Sequence, residues 1–378
     1  MMEDDQSYQI ELCPVCSDGN LIPLLTRTEY AQQKHDVFKF VFDDHACGRC
    51  GFVFSRRRPS NRYLAAYYSQ YLENLSEVGS EEIDERLNFM GDIVVPSKNV
   101  LEIGGGYGAF AEKLAERGAH VEGYDLSFDQ GRQVPWTNRV DLVCSYYVGE
   151  HVSDLQTWIT MQHDVLKDQG HLVIEVPNFA RCPIESMNNE HVNHFSPDSL
   201  QHFVQSNGFE IVEMCEESRG RYFGMTVLAR KTATQKLRRK IIQEPLTDES
   251  LSRVKNGVKR VGERQAELRE CAKWMQAVMD AGGTVAIWPC NELATAVLGH
   301  FDASIRSLIC LFDNDPRKTG MNWFECPMQV AIPTKEAVSK CRAICVLSPA
   351  YAREISDEIG RLHTGSPRIR FITQSRTG

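Results

Sequence analysis

Asn99-Val100-Leu101-Glu102-Ile103-Gly104-Gly105-Gly106-Tyr107-Gly108-Ala109-Phe110 is the stretch on which the reading of this chain turns. An apolar run ends in glycines. A helical pattern follows, Ala111-Glu112-Lys113-Leu114-Ala115-Glu116-Arg117, and closes at Gly118. The order is strand, tight turn, helix. Glycines let the backbone turn sharply and let a ligand approach it. The free N–H groups at the helix start then face a polar or negative group. A second strand, His120–Tyr124, ends at Asp125. An acid in that place holds a nucleoside ribose in doubly wound sheets.

Two cofactor classes fit such a turn. Gly104-x-Gly106-x-x-Ala109 satisfies a loose dinucleotide fingerprint. Read as Glu102-x-Gly104-x-Gly106-x-Gly108, the turn resembles the first motif of class I S-adenosylmethionine (SAM) methyltransferases. The second reading is preferred. A carboxylate two residues before the first glycine suits a ligand with a cationic amino group and disfavours a pyrophosphate. The residues expected to bind SAM are Glu102, Gly104, Gly106, Gly108, Asp125 and Tyr147.

With 378 residues, the chain is long enough for two or three domains, each with an ample core. Its apolar share of 42% and charged share of 25% are those of an ordinary globular protein. A net charge of −9 argues against general nucleic-acid affinity. No apolar run approaches the roughly 20 residues of a membrane span. The acidic start, Met1-Met2-Glu3-Asp4-Asp5, does not read as a signal peptide. Most of the 13 cysteines are scattered, several in apolar runs, so a reducing, cytoplasmic setting is expected.

Four cysteines are not scattered. Cys13-Pro14-Val15-Cys16 and Cys47-Gly48-Arg49-Cys50 are two Cys-x-x-Cys knuckles, 30 residues apart, and read as a four-thiolate zinc site. Four protein ligands leave no open position, so a structural role is expected. Apolar runs Phe38–Phe42 and Phe52–Phe54 are expected to form β-ribbons around the Zn2+. The run Arg56-Arg57-Arg58 is too short to argue for nucleic acid and reads as a solvated face. Between this unit and the glycine turn lies an aromatic segment, Tyr63–Tyr71. Ile83, Leu87, Met90 and Val94 then give an amphipathic helix stopped by Pro96.

After Asp125, Leu126–Arg139 leave little more than a loop before the next strand, Val140–Cys144. A doubly wound sheet ordinarily fits a helix and a strand there, so one of them is expected to be missing. Ser145–Leu155 then carries Glu150-His151-Val152, followed by a helix to about Leu166 and a strand Leu172–Asn178. Glu190-His191 with Phe195-Ser196, a helix ending at Gly208, a strand at Phe209–Val212 and a last strand around Gly224–Arg230 close the unit.

This ordered set resembles a SAM-dependent methyltransferase. With the zinc knuckles ahead and an α/β domain behind, nearly the whole chain resembles the three-domain sugar C-methyltransferases of deoxysugar biosynthesis. The resemblance implies a class I SAM methyltransferase (Rossmann-like) α/β core, an N-terminal zinc ribbon and a C-terminal Rossmann-like α/β domain. It implies a small-molecule acceptor, a nucleotide-linked 4-keto sugar. The expected division is 1–75 zinc-binding, 76–231 methyltransferase, 232–282 helical linker and 283–378 C-terminal α/β. One departure stands out: the family has a tyrosine two residues before its Glu-His pair, and this chain has Asn188. That departure leaves open an O-methyltransferase acting on a glycan or natural product and, together with the shortened sheet, a catalytically impaired SAM-binding or scaffold protein.

Methyl transfer needs an acceptor stripped of its proton, and a histidine is the side chain suited to remove it near neutral pH. His191 is the first candidate base, with Glu190 orienting or charging it. His151 lies at the C-terminal end of the fourth strand, where ligands of open α/β sheets gather. His194 reads more readily as a structural histidine.

Lys231–Ala281 is polar, and its apolar positions from Leu251 suggest one long helix ending at Gly282-Gly283. The last unit alternates strand and helix from Val285 to Ile372 and predicts a small parallel sheet. The loop Pro289-Cys290-Asn291-Glu292 has no glycine, which argues against dinucleotide binding there. This domain is expected to wall the substrate cleft or mediate association, as in a homodimer.

Overall fold

Alternation of side chains along a strand explains the N-terminal ribbons. The structure is a computed structural model. It describes residues 7–33, 36–70, 80–93, 96–105, 108–124, 138–187, 190–217, 224–232 and 247–372. β1 (Ser7–Gln9) is followed by β2 (Leu21–Gln32) and β3 (Val37–Cys47). Along β3, Phe38, Phe40, Phe42 and Asp44 point to one buried face. β4 (Val53–Ser55) pairs antiparallel with β3, and β5 (Arg57–Pro59) with β1. The chain divides into two units, Met1–Arg27 with Val41–Arg260, and Thr28–Phe40 with Val261–Gly378.

In the first unit, α1 (Asn61–Tyr68) is capped by the Ser60 hydroxyl, which accepts from the Tyr63 amide. α2 (Ser80–Met90) buries Ile83, Leu87 and Met90 on one face. It stops sooner than Pro96 requires, because Gly91 turns the chain at φ +54°. Val94 lies outside the described residues.

β6 (Asn99–Ile103), α3 (Ala109–Glu116) and β7 (His120–Tyr124) follow as a parallel strand–helix–strand unit. Gly118 closes α3 at φ +88°. β8 (Val140–Tyr146) lies parallel to β6 on its other side. α4 (Leu155–Val165) carries the chain over to β9 (Leu166–Pro177), which is parallel to β8. β9 starts six residues before the expected Leu172. The short α5 (Pro183–Ser186), the two-residue β10 (Asn193–His194) and α6 (Pro197–Ser206) come next. β11 (Phe209–Cys215) and β12 (Gly224–Lys231) complete the sheet, with β12 antiparallel to β9. The order is β11-β12-β9-β8-β6-β7.

The central strands are buried on both faces. Leu101, Ile103, Val143, Leu172 and Ile174 pack toward α4 and α6, where Trp158, Ile159, Leu200 and Phe203 are buried. Val100, Leu142, Cys144 and Val173 pack with Phe110 of α3 and with Leu87 and Met90 of α2. Two-sided burial is why these strands read as continuous apolar runs.

α7 (Asp248–Asp280) is the long helix that the apolar spacing predicts. In the second unit, β13 (Val285–Trp288), α8 (Glu292–Leu298), α9 (Ala303–Arg306), β14 (Ile309–Leu311) and α10 (Lys335–Ser339) follow in order. β15 (Ala343–Val346), α11 (Ala352–Leu362) and β16 (Arg368–Phe371) end the chain's regular structure. The four strands are parallel in the order β14-β13-β15-β16. Among the described residues, no helix is long and apolar enough to cross a membrane.

Candidate active site

The two knuckles meet. Cys13 Sγ lies 3.6 Å from Cys50 Sγ, and Cys16 Sγ lies 3.5 Å from Cys47 Sγ. All four sulfurs lie within 4.8 Å of one another, and all four are free thiols. Sulfurs at tetrahedral positions about 2.3 Å from one zinc are roughly 3.8 Å apart. The donor set and its spacing therefore fit a closed Zn2+ site.

The glycine turn is shaped for close approach. Gly104 and Gly108 take φ +74° and +76°, a region that side chains rarely enter. A Cβ on Gly105 would overlap the carboxyl group of Glu102, and one on Gly104 would overlap the Val148 side chain. Glu102 is buried at the end of β6. A buried carboxylate beside bare backbone fits a ligand that carries a cationic amino group, as SAM does. Gly106, Tyr107 and Asp125, and the shortened segment after Asp125 up to residue 137, lie outside the described residues.

Beyond β8 the chain bends at Tyr147, φ +55°, into Val148-Gly149-Glu150-His151. Burial raises the Tyr147 hydroxyl, with Glu175 and Glu150 adding to the rise. The segment around His191 is stitched to this bend. Amides of Val192 and Asn193 both donate to the Glu150 carbonyl, at 2.8 and 3.1 Å. The Asn193 side-chain amide donates to the carbonyls of Gly149 and Val152, each at 2.8 Å. These bonds bring together residues 41 to 44 apart in sequence. The rings of His151 and His191 meet edge to face at 4.6 Å.

Around those rings stand two glutamates. Glu190 Oε1 is 3.5 Å from His151 Nδ1, and Glu150 Oε1 is 3.8 Å from His151 Nε2. His191 Nδ1 is 2.9 Å from the Ser186 carbonyl. Only a protonated Nδ1 can donate there, so Nε2 of His191 carries the lone pair. Burial lowers His191 well below its ordinary value, and repulsion from His151 lowers it further. Burial alone takes His151 down to about 3. At neutral pH both imidazoles are therefore neutral, each with a lone pair on one ring nitrogen. Burial also raises Glu150 well above the carboxylate range, reinforced by Glu190 and Glu175. Glu175 in turn takes the Nε of Arg86 at 3.3 Å, and Arg86 lies over the Tyr146 ring at 4.1 Å.

His194 has a different setting. It is fully buried, with Nδ1 2.9 Å from the Ser186 carbonyl and Nε2 3.7 Å from Asp44. A structural part suits it. Asn188, the departure from the family pattern, lies outside the described residues.

Sequence reasoning missed the support beneath this segment. β10 pairs with β4, Asn193 opposite Phe54. Arg27 Nε meets Asp44 at 2.6 Å, both side chains fully buried, and Arg27 Nη2 donates to the His191 carbonyl at 2.9 Å. Arg58, expected on a solvated face, is instead fully buried and donates to the Asn193 side chain at 2.7 Å. A signal for Asp44 was present: it falls in phase with Phe38, Phe40 and Phe42 on a strand.

Residues 71–214 match the model of a family described as a methyltransferase domain. A search of the curated proteins finds no match. Among solved structures, a 1,6-didemethyltoxoflavin-N1-methyltransferase from Burkholderia thailandensis, with bound 1,6-didemethyltoxoflavin and S-adenosylhomocysteine, is 15% identical. That alignment covers 48% of this chain and 96% of the other, with a TM-score of 0.37. A SAM-dependent methyltransferase from Mesorhizobium loti is also 15% identical, over 39% of this chain and 100% of that one, with a TM-score of 0.32.

Proposed function

We propose that the chain, a SAM-dependent methyltransferase by its methyltransferase domain, methylates a small nucleotide-linked 4-keto sugar. One observation carries the proposal: His151, His191, Glu150 and Glu190 gather beside Val148, whose side chain lies against Gly104 of the glycine turn. A base cluster and a cofactor turn thus share one end of the sheet, the carboxyl end, where open α/β sheets bind ligands.

SAM, when bound, supplies an electrophilic methyl on a sulfonium. Glu102, Gly104, Gly106 and Gly108 would hold its amino-acid end and Asp125 its ribose, and Tyr147 would contribute to the same site. His191 Nε2 removes the proton from the acceptor atom that receives the methyl group. For a 4-keto sugar that atom is the carbon beside the ketone. His151, which stands between Glu150 and Glu190, positions the acceptor. Zn2+ on Cys13, Cys16, Cys47 and Cys50 steadies the first domain. In this reading residues 1–75 bind zinc, 76–231 carry the chemistry, 232–282 link and 283–378 form the second α/β domain.

The test is turnover with SAM carrying a deuterated methyl group and a panel of nucleotide-linked 4-keto sugars, followed by mass spectrometry. A labelled C-methyl product is expected. Transfer to a hydroxyl would favour the second reading, an O-methyltransferase, which Asn188 in place of the family tyrosine supports. SAM binding without transfer to any acceptor tried would point to a scaffold.

A further inference from the structure

The base assigned to His191 uses one nitrogen of a cluster that offers more. Glu150, His151 and His191 each present a donor atom, and these atoms all lie within 4.8 Å of one another. Glu150 is 1% exposed, yet neither of its carboxylate oxygens has a hydrogen-bond partner among the described residues. A buried carboxyl group in that condition is costly unless a proton or a cation meets it.

The orientation of the histidines is the second observation. His151 turns Nδ1 toward the Glu190 carboxylate, at 3.5 Å, and Nε2 toward Glu150, at 3.8 Å. His191 turns Nδ1 to the Ser186 carbonyl at 2.9 Å, which leaves Nε2 as its lone-pair atom. The carbonyl bonded behind His191 is the outer arrangement that metal-binding histidines use, and Glu190 stands on the side of His151 where a carboxylate would complete it, 3.5 Å from Nδ1 and not yet hydrogen-bonded to it. Donors about 2.1 Å from one ion stand roughly 3–3.4 Å apart, so closing onto an ion requires movements of about an ångström or less. Two imidazoles and one carboxylate select a first-row transition ion over magnesium or calcium, which prefer oxygen alone.

We propose that Glu150, His151 and His191 form a second metal site, one that takes a divalent transition ion such as Zn2+ or Co2+ and thereby stops methyl transfer. The stoppage rests on the reading of His191 as the base, because an ion on Nε2 occupies the lone pair that would take the acceptor's proton. Binding itself does not rest on that reading. Three donors leave coordination positions open, so the ion remains exchangeable, unlike one enclosed by four thiolates.

The probe is Co2+, added to full-length protein first supplied with one equivalent of zinc for the thiolates. One further equivalent is expected, with visible ligand-field bands and no thiolate-to-cobalt charge-transfer band. Glu150→Gln and His151→Asn should each weaken it by more than about 100-fold, and Glu190→Gln by about tenfold, as an outer partner does. Retained zinc and circular dichroism check each variant's fold. Turnover of the 4-keto sugar should fall in proportion to Co2+ bound. No further equivalent, a spectrum with the thiolate band, or unchanged affinity in both Glu150→Gln and His151→Asn would overturn the site. If Co2+ binds, is lost in both variants, and turnover rises, the metal site stands and the assignment of His191 as base fails.

Discussion

Arg27, a residue only 1% exposed, donates from its guanidinium to the backbone carbonyl of His191 at 2.9 Å. The same guanidinium meets Asp44 at 2.6 Å. Burial alone would raise Asp44, but the Arg27 charge and His194 outweigh it and hold the carboxyl below its ordinary value. The segment that carries His191 is therefore fastened from beneath by a buried ion pair.

Removing one partner of that pair leaves a buried charge uncompensated. Arg27→Met should destabilise the first unit by about 3–5 kcal/mol. Replacing both partners with apolar residues, Arg27→Met with Asp44→Leu, should recover part of the loss. Urea unfolding followed on both variants checks this. An unchanged midpoint in Arg27→Met would mean that the pair contributes nothing to the fold.

The thiolates give a second expectation. Elemental analysis of freshly purified protein should find one zinc per chain from the four cysteines. Cys13→Ser removes one ligand of a closed site, so it should impair folding of the N-terminal region. Loss of zinc with undiminished folding would separate the metal from stability.

For the cofactor turn, Gly105→Ala is the discriminating change, since its Cβ would overlap the Glu102 carboxyl. It should weaken SAM binding in calorimetry by displacing that carboxylate. Asp125→Ala should weaken it by about 1.5–3 kcal/mol if the ribose bonds to a charged group. SAM affinity unchanged in both would reject this placement of the cofactor.

What was legible in the sequence followed periodicity. β6, α3, β8, α7 and the four parallel strands of the second unit were all visible as apolar runs or helical spacings. β2 was not. Its alternating Thr26-Arg27-Thr28-Glu29 looks like surface, and the burial of Arg27 depends on Asp44, seventeen residues away. The meeting of His151 and His191 was equally hidden, because it depends on Asn193 reaching the carbonyls of Gly149 and Val152. Side-chain bonds across such separations leave no local pattern.

His191 gives the last and sharpest expectation. Its Nδ1 is committed to the Ser186 carbonyl, and burial holds its pKa well below the ordinary 6.5. A base so placed is already deprotonated at neutral pH, so the acid limb of kcat/KM should lie below 6.5 rather than at it. His191→Asn should keep SAM binding and lose about 10²–10⁴-fold in turnover, and that limb should disappear. Stability gives an independent check. Below 6.5 the unfolded chain takes up a proton on this histidine while the folded chain still refuses it. The unfolded state then binds more protons, so stability falls as pH drops through that window. His191→Asn should flatten this part of the pH–stability curve. The kinetic measurements belong in metal-free buffer, so that a bound ion does not stand in for a missing base. If His191→Asn keeps near-wild-type turnover while His151→Asn abolishes it, the two histidines have exchanged roles. If both variants stay active, the acceptor is a nucleophile that needs neither histidine to lose its proton.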